Sequence, residues 1–377
     1  MTTTTVLVLN SGSSSVKYQV ITLPTEEVLS KGERDRVGIA GGDFSDHRAA
    51  IADIIESLPN GVEIGLVGHR VVHGGQRFTT PAVIDDEVVA GIETVSSLAP
   101  LHNPANLQGI QAVKEVMPPL PQVAVFDTAY FATLLPAAYD YPLPRELVER
   151  FGIRKYGFHG TSHQYVNHRL VQLEEDRGYP LRVVSFHLGN GSSVAAVRGG
   201  VAVDTSMGMT PLPGLVMGTR SGDVDPSISL FLQREAGMNV DEVDSVLNRE
   251  SGLVGLSGYS DMRDLFKQAE MGEASAHHAI DVWVWRARHY LGAYMAQLGG
   301  LDAVVFTGGI GENQSTLRAR VVEGMEAFGL LLDERANFGS STGERRISAA
   351  DSDVSMWVIP TNEELQIARL SAECVGV

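Results

Sequence analysis

Apolar and polar positions along the chain fall into runs with clear edges. Val6–Leu9 is continuously apolar, Asn10 to Ser15 is small and polar, and Val16 to Ile21 alternates. This predicts a strand, a tight Gly/Ser turn and a second strand. The same design returns at Val183–Val203, VVSFHLGNGSSVAAVRGGVAV. Both copies have an Asn near the first strand's end, a Gly/Ser turn, and a second strand opening with Val16 or Val194. Two ordinary hairpins could give this pattern, but two copies half a chain apart suggest two similar domains facing one another. Ile64–Val72 and Gln122–Asp127 read as further strands, and Ala276–Leu298 as a long helix. Its aromatics Trp283, Trp285 and Tyr290 are assigned to the core. Ala303–Asn313 reads as a buried strand entering a glycine turn, with a helix from about Gln314. Val354–Leu370 repeats strand then helix, with Thr361 and Glu364 at capping-box spacing. Strands alternating with helices indicate an α/β protein.

Composition narrows the picture. A chain of 377 residues suggests two or three domains, and 44% hydrophobic residues can build a sizeable core. The formal charge of −17 argues against nucleic acid or a membrane surface as partner. A single cysteine, Cys374, excludes a disulfide framework and a cysteine-based zinc site. The N-terminus lacks a signal-peptide pattern, and no apolar stretch reaches the length of a membrane span. A cytoplasmic setting is expected.

The 40 glycines are clustered. Four turns combine glycine with hydroxyl or amide side chains: Asn10–Lys17, His187–Ser193, Met217–Asp225 and Gly308–Asn313. Such turns can present backbone N–H groups to an anion, although each alone is usually only a turn. The P-loop and dinucleotide fingerprints are both missing. Cations stand out in so acidic a chain. Arg70, His102, His159, Arg220 and Arg263 each lie in a Gly-, Pro- or hydroxyl-rich segment, and together they would form an anion clamp. His159 and His163 are four residues apart, but the glutamate of a zinc helix is absent, so zinc is disfavoured.

The motifs LNSGSSSVKY, HRVVHGG, LAPLHNP, FDTAY, KYGFHGTSH, HLGNGSS, MGTRSGDVDP, FTGGIGEN and IPTNEEL follow one another from Val6 to about Arg369. In this order they resemble the acetate kinases, of the acetate and sugar kinase, Hsc70 and actin superfamily. The resemblance implies two duplicated ribonuclease-H-like domains of the actin-like ATPase type, with the active site in the cleft between them. Residues 1–130 with 365–377 would form the N-terminal domain, and 131–364 the nucleotide-binding one. It also implies ATP/ADP as substrates, acetate and acetyl phosphate as reaction partners, Mg²⁺ (or Mn²⁺) as cofactor, and a homodimer.

By position, Arg70 would hold the acetate carboxylate, and Val72, Leu101, Phe158 and Pro211 its methyl group. His159 and Arg220 would contact the moving phosphoryl, with Asp127 also catalytic. Asn10 and Glu363 would hold the metal. Lys17, His187, Leu188, Gly189, Asn190, Gly191, Asp261, Met262, Arg263, Gly309, Ile310, Gly311, Glu312 and Asn313 would bind the nucleotide. The sequence departs from the family in having Phe131 where histidine is usual. It also has a shorter stretch between Lys17 and Arg70, which suggests a trimmed domain edge.

Acetate is already ionised at pH 7, so its phosphorylation needs no general base. Asp127 is therefore expected to orient metal, water or acetate. The alternatives are a kinase for propionate or another short carboxylate and, in a different class, a non-catalytic actin-like nucleotide switch.

Overall fold

A computed structural model describes residues 3–100, 102–174 and 177–377. The first sheet contains β1 (Thr4–Ser11), β2 (Ser15–Leu23), β3 (Glu27–Asp35), β4 (Leu66–Val71), β5 (Ala82–Val83) and β6 (Gln122–Phe126). Their order is β3-β2-β1-β4-β6-β5. The second contains β7 (Arg182–Leu188), β8 (Ser192–Arg198), β9 (Val201–Thr205), β10 (Ala303–Thr307), β11 (Arg345–Arg346) and β12 (Ser355–Val358), in the order β11-β12-β10-β7-β8-β9. Each sheet is an antiparallel three-stranded meander, then two parallel strands, then a short antiparallel edge strand. The hairpin repeat seen in the sequence is thus one corner of a six-strand repeat.

Parallel strands are apolar on both faces and need helices on both sides. Seven helices matter here: α1 (Asn103–Val116), α2 (Gly160–Leu173), α3 (Met262–Glu270), α4 (Ala274–Leu298), α5 (Gly308–Asn313), α6 (Ser315–Val322) and α7 (Glu363–Val375). On one face of the second sheet, Val184, Phe186, Val304 and Phe306 pack with Trp283, Ala287 and Leu291 of α4. On the other, Val183 and Val305 pack with Val166 and Leu170 of α2. On the first sheet, Val6, Val8, Val123 and Val125 pack with Ile367 and Ala368 of α7. Leu7, Leu9 and Val67 meet Ala112 and Val113 of α1 on the opposite face.

Three sequence expectations are corrected. Trp283 is buried, but Trp285 is 78% exposed. Two helical steps turn a side chain about 200° round the axis, so both cannot face one core. Gly308–Asn313 is a short helix rather than a turn. The cap of α7 is Asn362, whose side chain accepts from the Leu365 N–H at 3.0 Å. Thr361 instead shares a hydrogen bond with Ser162 at 2.8 Å.

Candidate active site

The strand ends deliver the chemistry. Asn10 lies near the end of β1, Arg70 near the end of β4 and Asp127 just beyond β6. These strands are parallel neighbours, so three polar residues meet at one carboxyl edge, where α/β sheets commonly bind ligands. Two asparagines of α1 brace this edge. Asn106 accepts from the Val72 N–H at 3.1 Å and donates to the Ser11 carbonyl at 2.8 Å. Asn103 accepts from the His73 N–H at 3.1 Å and donates to its carbonyl at 2.9 Å.

Arg70 is already engaged. Its Nε and Nη2 donate to the two oxygens of Asp127 at 3.2 and 2.5 Å. Its Nη1 donates to Asn10 Oδ1 at 3.3 Å, and Glu363 Oε2 lies 3.8 Å from Nε. The Thr161 hydroxyl stands between the two carboxylates, 3.2 Å from Asp127 Oδ1 and 3.1 Å from Glu363 Oε2. Burial pushes the Asp127 carboxyl up, Arg70 opposes this, and the Glu363 charge adds to it, so the net direction is upward. Burial works against the Arg70 charge too, yet Asp127 and Glu363 raise its pKa. Two carboxylates thus share one cation and one hydroxyl. With the Asn10 amide they form an all-oxygen set suited to a hard divalent ion.

Across the cleft, His159 caps α2 in the left-handed conformation, φ 58° and ψ 28°, unusual for a residue with a Cβ. Gly160 follows because any Cβ there would fall 2.0 Å from the Asp127 carbonyl oxygen. The His159 ring stacks on His187 with centroids 4.3 Å apart. Burial, then the neighbouring His187, His163, Arg70 and Arg220, hold His159 well below the usual histidine range. A Cβ on Gly191 would lie 3.5 Å from His159 Nε2 and 3.6 Å from Arg220 Nη1, so both groups flank that glycine. Arg220 donates to the Pro211 carbonyl at 3.1 Å and sits 3.8 Å from Met217 Sδ. Among the described residues no carboxylate pairs with it, and burial lowers its pKa. His102 faces the charges of both Arg70 and Arg220, and burial first of all depresses its pKa.

Val72 and Phe158 are buried together with Ala99, Met207 and Met217, an apolar cluster beside Arg220. Pro211 is not part of that cluster, but its carbonyl accepts from the Arg220 beside it. Leu101 lies outside the described residues. A separate chamber of about 860 Å³ is lined by Gly189, Asn190, Asp261, Met262, Arg263, Gly309, Ile310 and Asn313, with Ser260 and Gln314.

Other expected nucleotide residues stand elsewhere. Lys17 pairs with Glu33 at 3.5 Å on the first sheet. His187 and Leu188 are buried at the end of β7. Leu188 packs so closely on Gly308 that a Cβ there would come within 2.7 Å of its carbonyl oxygen. Glu312 accepts from the Gly308 N–H at 3.0 Å, and the Gly311 carbonyl accepts from the buried Arg318. Arg263 is 82% exposed and bound to Asp261 at 2.7 Å, so it belongs to the chamber rim and not to the Arg70–His159–Arg220 group. Phe131 is core, edge-on to His163 with centroids 5.9 Å apart. His163 hydrogen-bonds through both ring nitrogens, to Ser185 and Ser193 at 2.8 Å each, and has no free nitrogen for a metal. Sequence reasoning missed Asn103, Asn106, Thr161, Ser193, Met207 and Met217. Asn103, Thr161, Ser193 and Met217 lie in motifs already singled out, but nothing in spacing gave them roles.

Two copies of one mixed sheet, polar groups gathered at their strand ends, and a chamber between glycine loops define an α/β protein built by duplication. The profile of the acetokinase family matches residues 5–369. An acetate kinase of Leifsonia xyli is 48% identical over 98% of this chain and 99% of its own. The crystal structure of Porphyromonas gingivalis acetate kinase superposes with a TM-score of 0.93 at 40% identity, over 99% of this chain and 100% of that one. A propionate kinase from Francisella tularensis gives 0.92 at 38% identity, over 98% and 99%. The chain belongs to the acetokinase family. It is an enzyme, a kinase with a carboxyl group as phosphoryl acceptor, which decides against a non-catalytic nucleotide switch.

Proposed function

We propose that this chain transfers the γ-phosphoryl group of ATP to acetate, reversibly and by direct in-line displacement, giving acetyl phosphate and ADP. One observation carries the residue roles: Arg220 is a half-buried guanidinium with no acidic partner among the described residues, beside His159 and against the apolar cluster. The barrier is the approach of one anion to another. Arg220 and the His159 N–H would spread charge over the moving phosphoryl, and Val72, Phe158 and Pro211 would take the acetate methyl group. Arg70 keeps N–H groups beyond those bound to Asp127 and Asn10, and these would take the acetate carboxylate. The acceptor is already ionised, so Asp127 is not asked to remove a proton.

Asn10, Asp127 and Glu363 would hold Mg²⁺, or Mn²⁺, directly or through water. The ion would neutralise the β- and γ-phosphates. The chamber residues Asp261–Arg263 and Gly309–Asn313 would take the nucleotide's base and ribose, and Gly189–Gly191 would run along its phosphates.

We assign residues 1–130 with 365–377 to one lobe and 131–364 to the other. In support, α7 packs on the first sheet and α2 on the second. We place the enzyme in the cytoplasm, where an unpaired Cys374 is at home. Among the described residues no helix is long and apolar enough to cross a membrane. We also propose a homodimer, supported by the exposed Trp285 on α4.

The test is ATP, Mg²⁺, acetate and hydroxylamine in one tube, with propionate and butyrate in parallel. Acetyl hydroxamate should form fastest. ATP hydrolysis without any hydroxamate would overturn the reading.

A further inference from the structure

We propose that a hydrogen-bonded chain from Asn167 through Ser185, His163 and Ser193 locks His159 into one tautomer, with its proton on Nε2 and turned to the cleft. The polarity can be followed link by link. It starts at the His163 backbone carbonyl, which can only accept, and receives a bond from Asn167 Nδ2 at 2.8 Å. Turning the amide over would set two acceptor oxygens against each other. The same Nδ2 reaches Ser185 Oγ at 3.2 Å, so that hydroxyl accepts from Asn167. Among the described residues this buried hydroxyl has no other acceptor in reach, so its own proton goes to His163 Nδ1, 2.8 Å away, and is not left unpaired. With Nδ1 accepting, neutral His163 carries its proton on Nε2 and donates to Ser193 Oγ at 2.8 Å. Ser193 has one proton left and gives it to His159 Nδ1 at 2.9 Å. His159 must then hold its proton on Nε2, the atom that comes within 3.5 Å of a Cβ built on Gly191.

All of these groups except His159 are buried, so water does not compete for the links. An imidazolium at either ring would turn an accepting Nδ1 into a donor and reverse a link, and the low proton affinity of His159 and His163, set first by burial, agrees with two neutral rings. Ser193 and His163 are therefore positioning residues, and Ser185 and Asn167 set the direction.

The consequence for catalysis rests on the phosphoryl-transfer reading above. The opposite tautomer would present a lone pair to phosphate oxygens and repel them. The locked one presents a donor, already oriented, where negative charge develops.

Two measurements on the full-length protein test this. In the ¹⁵N-histidine-labelled enzyme, two-bond ¹H–¹⁵N correlations should show His159 and His163 both as neutral Nε2–H tautomers, assigned with His159→Gln and His163→Gln. An Nδ1–H tautomer or an imidazolium at either ring overturns the proposal. In kinetics, Ser193→Ala should lower kcat about tenfold, the worth of one hydrogen bond to the reacting group, with both KM values within about twofold. Ser193→Thr, which keeps the hydroxyl, should recover most of the loss. Asn167→Ala, remote from the cleft, should lower kcat several-fold and give His159 a mixed tautomer signal. Unchanged kcat in Ser193→Ala, or no rescue by threonine in a folded variant, also overturns it. The spectrum needs no substrate. Lack of acetyl transfer would defeat the proposed function and leave the tautomer result standing, and the reverse holds too.

Discussion

Arg220→Ala separates transition-state chemistry from scaffold. In the folded protein the guanidinium donates to the Pro211 carbonyl and, weakly, to Met217 Sδ, and makes no ion pair among the described residues. A charge-assisted bond is worth about 1.5–3 kcal/mol, but burial works against the Arg220 charge, so its removal should lower stability by no more than about 2 kcal/mol. The chamber between the glycine loops is lined without it, so the KM for ATP should change less than about threefold. The charge itself is worth far more. One unit charge 4 Å from another, at an effective dielectric constant near 20, contributes about 4 kcal/mol, or roughly 10³ in rate. A transferring phosphoryl carries more than one charge, and arginines placed on it are worth about 10³–10⁵. The expected result is a kcat at least 10³-fold down with nearly normal Tm. Arg220→Lys keeps the charge but loses the planar fork, and should fall between parent and alanine. Hydroxamate formation at saturating ATP and acetate, with a thermal melt of each variant, supplies the numbers. A kcat within tenfold of the parent would refute the reasoning. So would a large Tm loss that accounts for the missing activity.

Arg70→Ala should behave differently, because it orphans the Asp127 and Glu363 carboxylates. Expected are an acetate KM raised at least tenfold and a stability loss of about 3 kcal/mol in denaturant melts, and an unaltered KM would move the carboxylate site elsewhere. Val72→Ala should raise the propionate-to-acetate ratio of kcat/KM several-fold, since one methylene in an apolar pocket is worth about 1–3 kcal/mol; an unchanged ratio would count against the cluster as the methyl pocket. Asp302 is buried, which alone would raise its pKa, but three bonds from Arg182 outweigh this and depress it. Its contribution is therefore complete above the unfolded carboxylate pKa of about 4 and is lost as pH falls through the lower folded value. The stability gap between parent and Asp302→Asn should be widest at neutral pH and close below about pH 4, and a gap that persists in acid would refute the linkage. Trp285→Arg should shift the sedimentation profile from dimer towards monomer if a second copy covers this residue, and an unshifted dimer would place the interface elsewhere.

The strand ends were the most legible part of the molecule. Asn10 and Asp127 each close an apolar run and Arg70 sits one residue before the end of its strand, and polar residues at such ends are forced to one edge of a parallel sheet. The duplicated hairpin was legible for the same reason, since two-residue periodicity survives in short segments. The edge strands β5 and β11, two residues each, carry no pattern to find. Gly308–Asn313 misled because glycine propensity is local. Here the helix is imposed by packing on Leu188 and by Glu312 closing back on the Gly308 N–H. The pairing of Arg263 with Asp261, two residues away, needed a helix start that spacing does not reveal. Thr161 and Ser193 were harder still. They sit in recognisable motifs, but their roles come from partners 202 and 34 residues distant in sequence.

The duplication also explains how the chemistry is divided. At the edge of the first sheet the strand ends carry an amide, a guanidinium and a carboxylate, which suits a metal and a carboxylate substrate. At the equivalent edge of the second they carry His187 and Thr307, followed by glycine-rich segments against which an 860 Å³ chamber forms. Neither edge alone joins a donor, an acceptor and a counter-charge. The groups that bridge them are His159 and Thr161, at the first turn of α2. That helix packs on the second sheet, while Gly160 is pinned to the Asp127 carbonyl of the first at 3.1 Å. A Cβ at residue 160 would collide with that carbonyl, so the close contact between lobes and the placement of His159 depend on the same missing atom. The left-handed backbone at His159 follows from this constraint: the chain must leave the Phe131–Gly157 packing, present an imidazole to the cleft and enter a helix within two residues.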